Sequence, residues 1–185
     1  MQNTVTGERP RYHLSLRIIH WCRAATILGM IALGWWMVSL NDADAVKFDW
    51  GYPYHKSFGI LAFLLALIQL TLRGRFGTPA PSPRMGRLET IAAHITHVAL
   101  YVLMIAVPLL GYARSSTFPE SDGIYFFGLY LPELLGKNNA LSDIFSQVHA
   151  VAAYSLLGLI ALHVAGAIKH RLFDKDPQDS LSRML

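Results

Sequence analysis

The sequence predicts an all-α integral membrane protein of one compact domain, a four-helix bundle with both termini in the cytoplasm. Three observations carry this. Of the 185 residues, 53% are hydrophobic and 15% charged, with mean hydropathy +0.35, where a soluble domain carries about 25% charged residues. The apolar residues gather in four blocks, which set spans at about residues 15–40, 54–72, 90–112 and 144–168. Finally, twelve of the sixteen Lys and Arg fall at one set of block ends, among them Arg9, Arg84 and Lys175; only Lys47, Lys56, Arg114 and Lys137 fall at the other. Loops rich in Lys and Arg stay in the cytoplasm.

The first span has an uncharged stretch over 24–40, entered past Arg17, His20 and Arg23. A short acidic loop follows, closed by Trp50, Tyr52 and Tyr54, which read as an interfacial aromatic belt. The second span begins at Tyr54 or His55. The loop after it, RGRFGTPAPSPRMGR, is too rich in Pro and Gly to be helical. The third span holds His94 and His97, and Pro108 is expected to kink its far end. Residues 113–142 are too polar and broken to cross, with 126–135 expected as a short helix at the interface. In the fourth span, residues 144–168 pass without an Asp, Glu, Lys or Arg, and a polar basic tail follows. About fifteen polar residues precede the first block, so no cleavable signal is expected.

His149 and His163 stand fourteen residues apart in that fourth span. This is close to four whole turns, so both imidazoles leave one face of the helix, about 21 Å apart along the axis. An ionisable residue inside a span is a functional hypothesis by default, and two on one face need two partners. Depth assigns them. His20 enters from the cytoplasmic side, level with His163; His55 enters from the outer side, level with His149. Each pair suits the two axial positions of a haem iron, held by neutral imidazoles so that no charge is buried. Cys22 is the only cysteine, so there is no C-x-x-C-H motif and both haems would be non-covalent. Zinc needs three or four ligands converging on one point. Gly29, Gly34, Gly59, Gly158 and Gly166 leave room for a flat macrocycle or for close helix packing.

His94 and His97 read as supporting residues, bonded to haem propionates or lining a quinone pocket, or else as plain interfacial residues. Arg17 and Arg23 flank His20 by one turn each way. Either pairs with a haem propionate, or both anchor the chain to lipid phosphates.

The patterns IIHW, PYHKSFGILAFLLALIQLTLR, AAHITHVALYVLMIAVPLLGY, QVHA and GLIALHVAGAIKHRLFDKD, with the ending SRML, resemble the bacterial cytochrome b561 family across nearly the whole chain. That resemblance implies a bacterial inner-membrane protein with two haem b, ligated by His20, His55, His149 and His163, exchanging electrons with ubiquinone. It also implies superoxide as one donor. Asp143 stands where the family pattern leads one to expect a basic residue ahead of His149.

Other classes fit less well. A transporter or proton relay needs ionisable residues in the inner stretches of the spans, and a retinal protein needs an embedded Lys. No Rossmann glycine fingerprint is present for a nicotinamide or flavin, and no separate basic patch for nucleic acid. The donor is then a one-electron small molecule, a quinol or a docked redox protein. The competing reading is a cytochrome b subunit anchoring a dehydrogenase or hydrogenase in the membrane. Short tails and one outer loop of about thirty residues leave that reading little docking surface.

Overall fold

The computed structural model describes residues 11–80, 85–121, 123–173 and 180–185; Arg9, Arg84 and Lys175 of the charge count lie outside the described residues. Among the described residues, four helices are long and apolar enough to cross a membrane. These are α1 (Leu14–Ser39), α2 (Tyr52–Phe76), α3 (Arg87–Thr117) and α4 (Asn139–Leu172). A single π-helical turn, Lys47–Gly51, leads into α2, and a five-residue helix, α5 (Ser180–Met184), ends the chain.

The helices run past the apolar blocks because polar caps carry them further. His13 Nδ1 accepts from Ser15 N at the start of α1 (3.3 Å). Pro53 sits in the first turn of α2, where a missing N–H costs nothing. Gly77, at φ +67°, closes that helix. Glu89 reaches back to Gly86 N (3.1 Å) at the start of α3, and Asn138 accepts from Leu141 N (3.1 Å) at the start of α4. α3 continues through Pro108 as far as Thr117.

The short interfacial helix expected over 126–135 is not there. Instead β1 (Ile124–Phe126) and β2 (Leu129–Leu131) form an antiparallel hairpin, pairing Ile124 with Leu131, Tyr125 with Tyr130 and Phe126 with Leu129. The physical reason is local. Aromatic and β-branched residues favour a pleated strand, and Phe127–Gly128 adopt φ +46° and +95°, the positive pair that a tight two-residue hairpin turn demands. Ser57, fully buried on α2, holds the turn by accepting from Phe127 N (3.1 Å) while donating to Pro53 O (2.8 Å). Lys56 Nζ donates to Gly123 O (2.8 Å). The hairpin is thus pinned to the residues either side of Pro53 and His55. Beyond it, Lys137 bonds Glu133 at 2.5 Å and holds that carboxyl below the usual carboxylate range.

In the bundle α1 packs along α2, α2 along α3, and α3 most extensively along α4. Among the described residues the backbones of α1 and α2 approach α4 sparsely at most. A slot therefore runs between α4 and the α1–α2 pair. At mid-depth a core of Ile27, Ala62, Ala66, Leu100, Met104 and Leu156 separates the two ends of the bundle. The tail is not a loose appendage. Trp21 Nε1 donates to Met184 O (3.0 Å), Tyr12 N to Arg183 O (3.2 Å), and Arg183 Nη2 to Ala80 O (2.7 Å).

Candidate cofactor-binding site

Both histidines of α4 face the slot, and each meets a histidine from across it. The rings of His20 and His163 have centroids 6.3 Å apart with planes at 59°. Those of His55 and His149 are 6.2 Å apart at 73°. Two imidazoles bonded to one metal ion from opposite sides, through bonds of about 2 Å, have centroids about 6.3 Å apart. Both pairs are spaced to hold an ion between them. The third close pair is not: His97 lies edge-on to His163 at 5.3 Å, too near for an ion in line. His94 is exposed on the surface of α3. Of the arginines, Arg23 is buried at 7% exposure, while Arg17 is half-buried.

The His55–His149 pair shows how the fold prepares a ring. His149 Nδ1 lies 3.0 Å from Val107 O. With that carbonyl as acceptor, Nδ1 carries the proton and Nε2 keeps its lone pair for a metal. A Cβ on Gly111 would sit 3.2 Å from His149 Cε1, so a larger residue there would press the imidazole by a few tenths of an ångström. A Cβ on Gly34 would meet His55 Cε1 at 3.6 Å, an ordinary contact, so the His55 ring does not depend on a glycine there. His55 Nδ1 is buried with no hydrogen-bond partner. Beside the pair lies a chamber of about 370 Å³, lined by Gly34, Gly59, Met104 and Gly111 among others. By contrast, nothing lies within 4 Å of a Cβ built on Gly29, Gly158 or Gly166, so close helix packing is not their role.

Residues 11–185 match the family model described as prokaryotic cytochrome b561. The chain belongs to that family. Cytochrome b561 homolog 2 of Escherichia coli (strain K12) is 34% identical over 181 residues, covering 97% of this chain and 94% of the relative. The probable superoxide oxidase CybB of Yersinia pestis is 27% identical over 172 residues, covering 90% and 91%. Cytochrome b561 homolog 1 of Escherichia coli is 28% identical over 131 residues, covering 71% and 72%. A b561 cytochrome is a multi-pass membrane protein of electron transport, and membership implies haem b binding. The residues present fit such a group: paired neutral imidazoles, an orphaned buried ring nitrogen, and a glycine-lined slot.

Sequence reasoning missed Gly111 and the Val107 carbonyl. Both sit on α3 opposite His149, and no spacing within α3 points to a contact made by another helix. It named Arg23 but missed the rest of a polar layer beside His20 and His163. There Gln69 Nε2 donates to Tyr101 Oη (3.3 Å), and the guanidinium groups of Arg23 and Arg73 lie 5.3 and 5.6 Å from the Tyr101 ring centroid.

Proposed function

We propose that this cytochrome is a di-haem b electron-transfer protein of the bacterial inner membrane, with both termini cytoplasmic, that takes electrons from superoxide and passes them to ubiquinone. His20 and His163 ligate the inner haem, His55 and His149 the outer. One observation carries the reading: a single rigid helix presents two histidines at opposite ends of a slot, each 6.2 to 6.3 Å from a histidine on another helix. Haem supplies a reversible one-electron couple. Held by two imidazoles each, such groups would supply one-electron carriage rather than oxygen activation.

The chain's own residues support a small anionic donor at the outer face. A vestibule of about 660 Å³ opens there under the hairpin, lined by Lys56 and Arg114 and also by Asp49 and Glu120. Arg114 is held 5.5 Å from the Tyr52 ring and 5.3 Å from that of Phe118. Lys56 and Arg114 also line the chamber beside His55 and His149. Fixed cations at the mouth of a cleft raise the local concentration of an anion. Two superoxide ions leave as two molecules of oxygen, and their two electrons with two protons convert one ubiquinone to ubiquinol.

The test is stopped-flow reduction of the oxidised, purified protein by superoxide, by ubiquinol and by a neutral one-electron reductant, with haem counted per chain. Fast reduction by superoxide, two haems per chain and reoxidation by ubiquinone are expected. Slow reduction by superoxide beside fast reduction by quinol discards the superoxide donor and keeps the electron carrier. Reduction by neither moves the balance to a membrane subunit that needs a docked partner.

A further inference from the structure

Three cations are buried among the described residues, and two of them have an evident partner. Lys47 pairs with Asp42 at 2.6 Å, and Arg183 donates to the Ala80 carbonyl. Arg23 has neither. It is 7% exposed and its Nη1 has no hydrogen-bond partner. Its guanidinium leans on the Tyr101 ring, and the guanidinium of Arg73 leans on the same ring. A cation–π contact is weaker than the cost of burying an unpaired charge, and two like charges on one ring add repulsion. The ion pairs given among the described residues engage lysines and reach neither arginine. The layer lacks an anion.

Its position says which anion. Arg23 lies one turn from His20 on α1, and a helical side chain leans back toward the N-terminus, here toward His20. Tyr101 lies one turn from His97, whose ring touches that of His163. Resting on the reading of His20 and His163 as ligands, we infer that Arg23 and Arg73 form a carboxylate site, occupied by a propionate of the inner haem. Arginine suits the task because its planar fork bonds a carboxylate with two parallel hydrogen bonds. Arg17, one turn further from Tyr101 and only half-buried, also has an orphaned Nε, but it makes no contact with the ring that Arg23 and Arg73 share. The same oxyanion chemistry is offered by an acidic lipid headgroup, so the experiment separates the two sources.

Full-length protein is reconstituted with haem b or with its dimethyl ester, in discs of neutral or anionic lipid, and release of each haem to apomyoglobin is timed by its spectrum. The outer haem of the same molecule reports an intact fold. Wild type should lose the inner ester at least tenfold faster than inner haem b. Arg23→Gln should speed release of inner haem b by a similar factor and leave ester release unchanged, and Arg23→Lys should recover part of the loss. Arg17→Gln should change neither rate. Equal acceleration with haem b and ester makes Arg23 a structural residue and overturns the inference, as does an Arg23 effect that appears only in anionic lipid. An inner haem that Arg23→Gln leaves untouched overturns the inference alone; wild type with no inner haem overturns the reading of the ligands on which it rests.

Discussion

At the level of single residues, the two histidine pairs were legible in the sequence because depth in a membrane is nearly one-dimensional. Helix direction and distance from the end of an apolar block assign His20 to the level of His163 and His55 to that of His149, and the structure puts these rings side by side. Replacing His149 with Ala should leave one haem per chain, the inner, and His163→Ala should leave only the outer. Redox difference spectra resolve the two. If His163→Ala and His55→Ala remove the same haem, the pairing is wrong; loss of a haem from His94→Ala, with its side chain exposed on α3, speaks against the ligand set. Gly111 was not legible, since its importance comes from a neighbour on another helix. A methyl there meets His149 Cε1 at 3.2 Å, and overpacking of this kind costs about 1–3 kcal/mol. Gly111→Ala should therefore loosen the outer haem and spare the inner, read as faster release of one haem and a lower Tm; unchanged outer-haem retention counts against the preformed seat.

For whole elements, the spans were read well and the outer loop badly. A run of apolar residues long enough to cross a bilayer admits one solution, since every backbone group must be bonded inside the segment. Residues 124–131 carry no such constraint. Their strand character depends on a turn at Phe127–Gly128 and on Ser57, about seventy residues earlier in the chain. Ser57→Ala removes the acceptor of the Phe127 N–H, a hydrogen bond worth about 0.5–1.5 kcal/mol. Proteolytic nicking in the hairpin should rise in that variant while both haems stay bound. Unchanged nicking shows that backbone pairing alone holds the hairpin. The tail was equally opaque: its anchors are backbone carbonyls and Trp21, and no residue pattern advertises a carbonyl.

The orientation of the whole molecule rests on charge, with twelve cations against four. A reporter fused after Leu185 should read cytoplasmic and one between Asp42 and Lys47 external. The opposite result exchanges inner for outer without changing either pair. The slot beside α4 has a consequence for how such a protein is made. Among the described residues only ten apolar side chains are buried, and just two of them, Ala152 and Leu156, come from α4. The rest of the apolar surface faces lipid or the slot, and the slot is the room that a planar pigment would fill. Newly inserted chains without pigment are then underpacked bundles, fit substrates for membrane proteases. A cell short of iron or porphyrin should accordingly hold little of this protein rather than a reserve of empty copies, and its abundance becomes a gauge of tetrapyrrole supply.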